Sequence, residues 1–400
     1  MDRNGDDRHR NRWVPSRRSA SRSTGRRCDR PLYRLDRSSR NRSVTGPTHI
    51  GPTRDTAQST HAMRIDFLSN HGLMGGGEVM LFQLASAAQE IGHSSMIIAP
   101  EASEVHERAE LLELPCIGLP ANGRRSLIRS YRTYARTSEA DLLWCNGPVP
   151  SIATTKARAA RIVHLHQHPS RHQAALLWWA RRNALATLVP SHNMAQAIAG
   201  STAFPNWTDA PATEFTRTSA DPTTLRIGFI GRISTGKGLD VLADAVAELP
   251  ANLGITLMVA GDDRFVAPEE SAPVLSALER ISEKVELVGW ADRDKFHAQI
   301  DLLVVPSSRD EAFGLVAAEA MARRTPLLVT DAGALPEIVG PDHPWIVRRR
   351  NPAAIATAIS EMISDSHRVH ESVVRGEQRW AQLFSPFAGS QRLEKFLSEL

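Results

Sequence analysis

From Met63 to the end of the chain, short apolar runs alternate with amphipathic segments. The first runs are MRIDFLSN, SSMIIAP, DLLWCN, RIVHLHQ and ATLVPS, and the later ones are RIGFIGR, ITLMVAGD, VELVGW, DLLVVPS and PLLVTD. Helical patterns such as KGLDVLADAVAEL and FGLVAAEAMARR stand between them. This alternation is typical of parallel sheets that are covered by helices on both faces. The sequence therefore predicts an α/β protein made of two doubly wound halves.

The apolar periodicity lapses between the two series, in FPNWTDAPATEFTRTSADPTT. We predict a first Rossmann-like domain over residues 63–205, a linker over 206–222 and a second Rossmann-like domain over 223–385. A last helix, over residues 386–400, is expected to return towards the first domain. Ligands of such sheets bind beyond the carboxyl ends of the strands. The two halves are therefore expected to face each other across a cleft.

The first 62 residues differ in composition from the rest. Residues 1–60 hold fifteen Arg, no Lys and six Asp, a local charge of +9, whereas the other 340 residues carry −5. Such a stretch cannot bury a core. It is either a disordered tail, an arm that binds nucleic acid, or an upstream extension of a protein whose translation begins at Met63. A targeting peptide is disfavoured, because the stretch has no apolar segment.

The lengths of the apolar runs and the spacing of the cysteines argue against a membrane-spanning protein and against a protein with a structural zinc site. No run approaches the roughly 20 apolar residues of a membrane-spanning helix. Cys28, Cys116 and Cys145 are far apart and form no Cys-x-x-Cys pair. This spacing argues against a structural zinc site and for a reducing compartment. We therefore expect a cytoplasmic protein.

A strong local signal is the segment SSRDEAFGLVAAEAM. Glu311 follows a buried strand, and Phe313, Gly314 and Leu315 open the helix that carries Glu319. Free N–H groups and the positive end of the helix dipole at this point suit a phosphate or a sugar oxygen. The two carboxylates, about 12 Å apart if the segment is helical, suit hydroxyls at opposite ends of a nucleotide sugar. A solvated helix face is the alternative.

The second signal is GFIGRISTGKGLDVLADAV. Gly231 and Gly236 lie where a strand turns into a helix, and Arg232 and Lys237 bracket the turn. Two cations at a helix N-terminus are unfavourable unless an anion such as a diphosphate lies among them. Surface cations beside a flexible turn are the alternative. A P-loop is excluded, because its glycine and lysine spacing is absent.

Taken together, GRISTGKG, the E-x7-E spacing and PLLVTDAGALPEIV resemble the retaining glycosyltransferases of family 4, which have the GT-B fold. The resemblance extends from Met63 to the C-terminus. It implies that Glu311 binds hydroxyls of the donor sugar, that Glu319 binds the ribose, and that Arg232 and Lys237 bind the diphosphate. It also implies catalysis without a metal or another cofactor, by same-face attack assisted by the departing phosphate.

The N-terminal half fits the same family. MGGGEVMLFQLASAAQEIGH resembles the glycine-rich loop after the first strand, where Gly76 and Gly77 let the backbone approach phosphate or acceptor. RIVHLHQHPS resembles a strand that ends in a cleft-facing histidine, here His166, and Gln167 stands where many relatives carry an acidic residue. Trp290, the last residue of VELVGW, is expected with the residues that follow it to face the base of the donor.

A metal site is not expected. His164, His166 and His168 share one strand face by alternation, but no carboxylate or cysteine completes a ligand set. Asp262 and Asp263 follow a strand in a Gly-Asp turn and form no convincing Asp-x-Asp loop.

Residues 121–182 carry eleven Lys or Arg and two acidic residues. RRSLIRSYRTYAR is an amphipathic basic stretch, and LLWWARR places two tryptophans beside two arginines. Such a face can rest on anionic lipid. The alternative is a solvated helix face with buried tryptophans.

The sequence thus favours an enzyme that transfers sugar from a nucleotide-diphosphate donor to a glycan, lipid-linked or small-molecule acceptor, such as a cell-envelope glycan. The expected location is cytoplasmic, and at the inner face of the membrane if the basic surface binds lipid. Two alternatives remain open. One is a nucleotide-sugar epimerase of the same fold. The other is a non-catalytic nucleotide-sugar-binding protein whose Arg-rich start binds nucleic acid, although no nucleic acid is expected at the folded part.

Overall fold

The computed structural model describes residues 62–169, 171–212, 224–250, 252–264 and 266–400. The expectations for residues 1–61, and for the linker from residue 213 onward, lie outside the described residues.

The first half contains a parallel sheet covered by helices. Its strands are β1 (Arg64–Leu68), β2 (Ser94–Pro100), β3 (Cys116–Leu119), β4 (Leu142–Asn146), β5 (Ala160–His164), β6 (Ala186–Val189) and β7 (Thr202–Ala203). Its helices are α1 (Gly76–Glu90), α2 (Glu104–Leu111), α3 (Arg124–Thr137), α4 (Pro148–Ala153), α5 (Arg171–Ala180) and α6 (His192–Ala197). The strand order is β3-β2-β1-β4-β5-β6-β7.

The second half repeats this architecture. Its strands are β8 (Thr224–Ile230), β9 (Gly254–Ala260), β10 (Val285–Gly289), β11 (Leu302–Val305), β12 (Leu327–Thr330) and β13 (Ile346–Val347), in the order β10-β9-β8-β11-β12-β13. Its helices are α7 (Leu239–Glu248), α8 (Pro268–Glu279), α9 (Arg293–Gln299), α10 (Leu315–Ala322), α11 (Leu335–Val339), α12 (Pro352–Ser364), α13 (Ser366–Leu383) and α14 (Pro386–Ser398).

The strand order places the binding crevice of each half. In both sheets the first strand lies in the middle, with β2 and β4 on the two sides of β1, and β9 and β11 on the two sides of β8. All these pairs are parallel, and the chain reverses its direction of winding beside the first strand. Ligands of doubly wound sheets bind at this switch point, beyond the carboxyl ends of the strands. The predicted fold class is confirmed.

Buried strands explain why the apolar runs could be recognised. All five residues of β4 and all four of β11 are buried, as expected for strands with helices on both faces. The run RIVHLHQ is a strand only as far as His164, so the alternation expected at His166 and His168 falls in the following loop. Short elements such as β3, β7, β13 and α6 carry too little periodicity to be predicted.

The last helix joins the two halves of the fold. Leu393 and Leu397 of α14 pack in the same apolar cluster as the buried face of α1. Gly389 lies against the indole of Trp207, which leaves no room for a side chain at position 389. The second half of the chain is therefore anchored on the first by buried apolar surface.

A polar contact also links the halves. The carboxylate of Glu337, in α11, accepts hydrogen bonds from the backbone N–H groups of His192 and Asn193, both at 2.9 Å. These donors belong to the first turn of α6, whose N–H groups have no partner within the helix. Glu337 thus caps a helix of the first half from the second half. None of the described helices combines the length and the apolar character needed to span a bilayer.

Candidate active site

Three glycines bring the carboxyl ends of β8, β9 and β10 together. The Gly231 N–H donates to the Ala260 carbonyl at 3.0 Å, and the Gly261 N–H donates to the Gly289 carbonyl at 2.8 Å. Gly231 and Gly261 have φ angles of +157° and +141°. A side chain at position 261 would overlap the carbonyl oxygen of Gly231, so only glycine fits there. This backbone crossing places Arg232, whose side chain is exposed, at the edge of the sheet.

A tight turn after β8 carries Lys237 towards the next strand end. Thr235–Lys237 forms one 3₁₀ turn, and Gly238 follows with φ +72°. A side chain at Gly238 would overlap the Pro306 carbonyl, and the Gly236 carbonyl accepts from the N–H of Ser308 at 3.0 Å. The turn is therefore held against the loop that follows β11.

The two predicted motifs meet in an ion pair. Lys237 Nζ lies 2.7 Å from Glu311 Oε1, and Ser307 Oγ donates to the same oxygen at 2.5 Å. Burial of the Glu311 carboxyl opposes its ionisation. The Lys237 charge, the hydrogen bonds from Lys237 and Ser307, and the nearby Arg232 guanidinium outweigh this effect, so the pKa of Glu311 lies below its ordinary value. Glu311 is therefore a half-buried carboxylate that stays ionised beside two cations.

The backbone of Glu311 is fixed by the segment after β12. Glu311 and Gly333 form an isolated parallel bridge, and the Ala334 N–H donates to the Glu311 carbonyl at 2.9 Å. Gly333 has φ +59°, and a Cβ there would lie 2.6 Å from the Glu311 nitrogen. The glycine of PLLVTDAGALPEIV therefore positions Glu311.

The start of α10 differs from the sequence expectation. The helix begins at Leu315, after Gly314 with φ +103°. Phe313 precedes the helix, because the left-handed backbone of Gly314 interrupts the helical conformation. The Phe313 ring is buried edge-on against Phe384, with the ring centroids 5.4 Å apart. Since Glu311 also precedes the helix, the separation of about 12 Å expected for a fully helical segment does not apply to the two glutamates.

Glu319, on α10, presents a carboxylate oxygen without a hydrogen bond. Its Oε2 is buried, has no hydrogen-bond partner among the described residues and lies 3.5 Å from Arg293 Nε. Burial raises the pKa of Glu319, although the charges of Arg293 and Arg323 oppose the shift. A buried acceptor without a donor is costly. A ligand hydroxyl would satisfy it.

Trp290 lies at the end of β10 on the same edge of the sheet. Its side chain is 71% exposed, and its Nε1 donates to Asp262 Oδ2 at 2.7 Å. The Asp262 carbonyl accepts from the N–H of Ile233, next to Arg232. The exposed indole of Trp290 is thus linked through Asp262 to the segment after β8, which carries Arg232 and Lys237.

The glycine-rich segment meets both halves of the fold, and its Gly76 and Gly77 are the first two residues of α1 and not loop residues. A Cβ at Gly76 would lie 3.1 Å from the Leu315 side chain of α10, and one at Gly77 would lie 3.1 Å from His166 Cδ2. The structure therefore brings Gly76 against Leu315 of the second half, and the neighbouring Gly77 against His166 of the first half.

Among the described residues, the His166 side chain forms a hydrogen bond between its Nε2 and Asn146 Oδ1 at 2.6 Å. Burial lowers the pKa of His166 to about 3. The ring centroid of His164 is 4.1 Å from that of His166, and Trp144 Nε1 donates to His164 Nδ1 at 3.2 Å. Within the described residues, no group of three or more His, Cys, Asp or Glu side chains could hold a metal ion.

Glu78 is a buried acid that sequence reasoning did not single out. It lies in the first turn of α1, with its Oε1 3.7 Å from His71 Nδ1. Burial raises the pKa of Glu78 to about 7, although backbone N–H groups, including that of Asn70, stabilise its charge. Its position at the start of an otherwise apolar helix face could have identified it as a buried acid from the sequence. Ser307, Asn146 and Glu337 gave no such signal, because their roles depend on contacts distant in sequence.

The basic region of the first half forms one surface. Helix α3 packs on α4, and α4 packs on α5. On α3, Leu127, Tyr131 and Ala135 are buried. The exposed cations of this helix, none of which forms an ion pair with another described residue, are Arg124, Arg125, Arg129, Arg132 and Arg136. On α5, Trp178 and Trp179 are 64% and 39% exposed, so the alternative of buried tryptophans is wrong.

Family models match both halves of the chain. A model described as Glycosyltransferase Family 4 matches residues 74–206, and one described as Glycosyl transferases group 1 matches residues 224–365. The chain belongs to the glycosyltransferase family that these two models describe. Each match coincides with one of the two sheets.

Curated relatives share part of their length with this chain. The D-inositol 3-phosphate glycosyltransferase of Segniliparus rotundus is 31% identical over 182 residues, which are 43% of this chain and 34% of that protein. The lipopolysaccharide core biosynthesis mannosyltransferase LpsB of Rhizobium meliloti is 29% identical over 179 residues, which are 41% of this chain and 49% of that protein. The matches thus span about a third to a half of these relatives.

Solved structures confirm the GT-B fold. Anabaena Alr3699/HepE in complex with UDP-glucose aligns with a TM-score of 0.72 and 22% identity, over 84% of this chain and 100% of that one.

We expect Glu78 to make stability depend on pH. Because the folded state raises the Glu78 pKa from 4.5 to about 7, the unfolded state releases this proton first. The contribution to the free energy of unfolding is therefore greatest below pH 4.5 and is lost as the pH rises to about 7, a change of about 3 kcal/mol. Denaturant titrations of the wild type and Glu78→Gln across this range measure the difference, which the variant should lack.

Glu90→Gln, at the exposed end of the same helix, controls for the loss of one carboxylate. If the wild type and Glu78→Gln change in parallel with pH, the burial of an ionisable Glu78 is refuted.

Proposed function

We propose that this protein is a retaining glycosyltransferase that moves a sugar from a nucleotide-diphosphate donor to a hydroxyl of its acceptor, without a metal. The observation that carries the proposal is the ion pair of Lys237 and Glu311 at the carboxyl edge of the second sheet, with Arg232 beside it. Cations and a prepared carboxylate within one ligand's reach suit a diphosphate joined to a sugar.

The donor diphosphate would bind among the cations. Arg232 is exposed and forms no ion pair with another described residue, and Lys237 is neutralised by a single carboxylate. The first N–H groups of α10, after Gly314, lack partners within the helix and add positive potential. These groups would stabilise the negative charge that develops on the departing diphosphate.

The two glutamates would hold the ends of the donor. Glu311 accepts hydrogen bonds at a site where sugar hydroxyls can replace or join Ser307 and Lys237. Glu319 Oε2, which lacks a hydrogen bond in the described structure, would accept from the ribose. Trp290, exposed at the end of β10, would face the base.

The chemical step exchanges one bond at the anomeric carbon. The bond from the sugar C1 to the diphosphate oxygen breaks, and the acceptor hydroxyl oxygen forms a bond to C1 on the same face. The hydroxyl proton passes to the departing phosphate oxygen. The resemblance to family 4 supports this same-face route, in which Lys237 and Arg232 lower the barrier by stabilising the leaving group.

Relatives suggest the substrates. Alr3699/HepE is seen with UDP-glucose, which supports a nucleotide-sugar donor here. LpsB is named for lipopolysaccharide core biosynthesis, which supports a cell-envelope glycan or its lipid-linked precursor as the acceptor class. An epimerase of the same fold would interconvert donors without an acceptor, and a non-catalytic binder would bind the donor unchanged. Product analysis with and without acceptor separates the three.

Lys237→Ala is expected to weaken binding of a nucleoside diphosphate, because it removes a charged hydrogen-bond donor from the phosphate site. The loss should be about 30- to 100-fold in affinity, with a similar or larger loss of turnover. Thermal shift with uridine, guanosine and thymidine diphosphates, followed by calorimetry on the best of them, measures the effect.

Lys284→Ala is the matched control, because Lys284 directly precedes β10 and so lies at the opposite, amino edge of the sheet. A Lys237→Ala protein that binds and transfers as well as the control would refute the phosphate site. Chelation of divalent metals by EDTA is expected to leave the wild-type turnover unchanged.

We further propose that the α3–α5 surface docks on anionic membrane at the cytoplasmic face. Five exposed arginines on α3 without ion pairs to described residues suit a polyanionic partner, and each cation near such a surface contributes about 1 kcal/mol. The exposed Trp178, with Arg182 5.5 Å from its ring centre, suits the boundary between headgroups and acyl chains. The exposed Trp179 lies beside it on the same helix.

Replacing Arg125, Arg129 and Arg132 by Glu is expected to abolish sedimentation with phosphatidylglycerol vesicles, since the cations that attract the lipid are reversed. Trp178→Ala should weaken this binding without changing its dependence on salt. Phosphatidylcholine vesicles should bind the wild type at least tenfold less tightly.

The same charge reversal at Arg348, Arg350 and Arg375, exposed on the second half, is the control. Equal sedimentation of wild type and α3 variant, or none with either vesicle, would contradict the membrane proposal.

A further inference from the structure

Asn146 joins the glycine-rich segment to His166. It is the last residue of β4 and is 1% exposed. Its Nδ2 donates to the Gly77 carbonyl at 2.9 Å, and its Oδ1 lies 2.6 Å from His166 Nε2. One amide thus connects the end of β4, the first turn of α1 and the segment after β5.

These two contacts determine the orientation of the amide. The Gly77 carbonyl can only accept a hydrogen bond, so it must face the NH₂ group of Asn146. The amide oxygen therefore faces His166, and His166 Nε2 must carry the proton. In a neutral imidazole the other nitrogen, Nδ1, is then an acceptor with a free lone pair.

His166 has the surroundings of a neutral ring. The titratable group that packs against it is the His164 imidazole of β5, while Asn146 of β4 and Gly77 of α1 are uncharged. Burial lowers the pKa of His166 to about 3, so the ring is neutral at physiological pH. Its Nδ1 is buried and has no hydrogen-bond partner among the described residues. A donor from a ligand or from water would satisfy a buried acceptor of this kind.

We propose that Asn146 is a positioning residue that fixes His166 in its Nε2–H tautomer, so that Nδ1 accepts a hydrogen bond from a substrate hydroxyl in the proposed transfer. The inference rests on the proposed function for the identity of the hydroxyl, and on geometry alone for the tautomer. A substrate that lacks this hydroxyl would leave Nδ1 unsatisfied and would be discriminated against.

His164 offers an internal reference. Trp144 Nε1 can only donate, so His164 Nδ1 accepts and the proton of His164 is also on Nε2. This bond does not involve Asn146. Changes at position 146 should therefore alter the tautomer of His166 and leave that of His164 unchanged.

The direct test is nitrogen NMR on the full chain labelled with ¹⁵N-histidine. Long-range ¹H–¹⁵N correlations distinguish a protonated ring nitrogen from a bare one, and the His166 signals are assigned by their loss in His166→Gln. The wild type is expected to show bare Nδ1 and protonated Nε2. Asn146→Leu should give a mixture of tautomers, whereas a bare Nε2 in the wild type would overturn the proposal.

Kinetics give a second measurement, and its pH dependence would not change if Asn146 had a purely structural role. Asn146→Leu should lose about ten- to a hundredfold in kcat/KM at every pH, because His166 Nδ1 then carries a proton in part of the molecules and cannot accept the hydrogen bond. Asn146→Asp places a carboxylate beside Nε2, favours the imidazolium and raises the His166 pKa. Its turnover should therefore fall as the pH drops through that raised pKa and recover at higher pH, a limb that the wild type lacks.

Asn122→Asp, in an exposed loop, controls for the added charge. If both Asn146 variants keep the wild-type tautomer and pH profile, the proposal is refuted. The NMR result does not depend on turnover. A wild type that binds nucleoside diphosphate and has the expected tautomer, but transfers no sugar, would refute the proposed function and retain the role of Asn146.

Discussion

The ion pair of Lys237 and Glu311 is the interaction on which the proposed site depends. It joins the turn after β8 to the loop after β11, and so fixes the two motifs relative to each other. It also keeps a half-buried carboxylate ionised, since the pKa of Glu311 lies below its ordinary value despite partial burial. An isolated charge would be expensive at this position, whereas a paired one is stable and can exchange partners with a ligand. The pair therefore holds a cation and an acceptor side by side, although the carboxylate and a phosphate would compete for the cation.

Close contacts between backbone segments, which only glycine permits at these positions, make this pairing possible. Gly238 contacts the Pro306 carbonyl, Gly261 contacts the Gly231 carbonyl, and Gly333 holds the backbone of Glu311. Each glycine lies where a strand end turns, so the carboxyl edge of the second sheet is built from closely packed main chain. On the facing half, the approach of Gly76 to Leu315 brings the glycine-rich segment to the start of α10. The geometry of the proposed site thus depends on glycines, which have no side chain, as much as on the charged side chains.

Much of the fold was predictable, because strands buried on both faces produce continuous apolar runs. The local motifs also placed Arg232, Lys237 and Glu311 at strand ends, where topology brings them together. The parts that could not be predicted depend on long-range contacts. Asn146 and His166 are 20 residues apart, and Glu337 caps a helix 145 residues earlier in the chain. Local spacing also misplaced the start of α10, which begins at Leu315 and not at Phe313.

The central claim is that Lys237 is shared between Glu311 and the donor diphosphate. Calorimetric titration of uridine diphosphate, which has no sugar for Glu311 to hold, into the wild type and Glu311→Gln tests it most directly. The account predicts binding several-fold tighter to the variant, because Lys237 is released from a competing carboxylate, together with a loss of sugar transfer. Weaker binding of uridine diphosphate to a folded Glu311→Gln protein would contradict the claim.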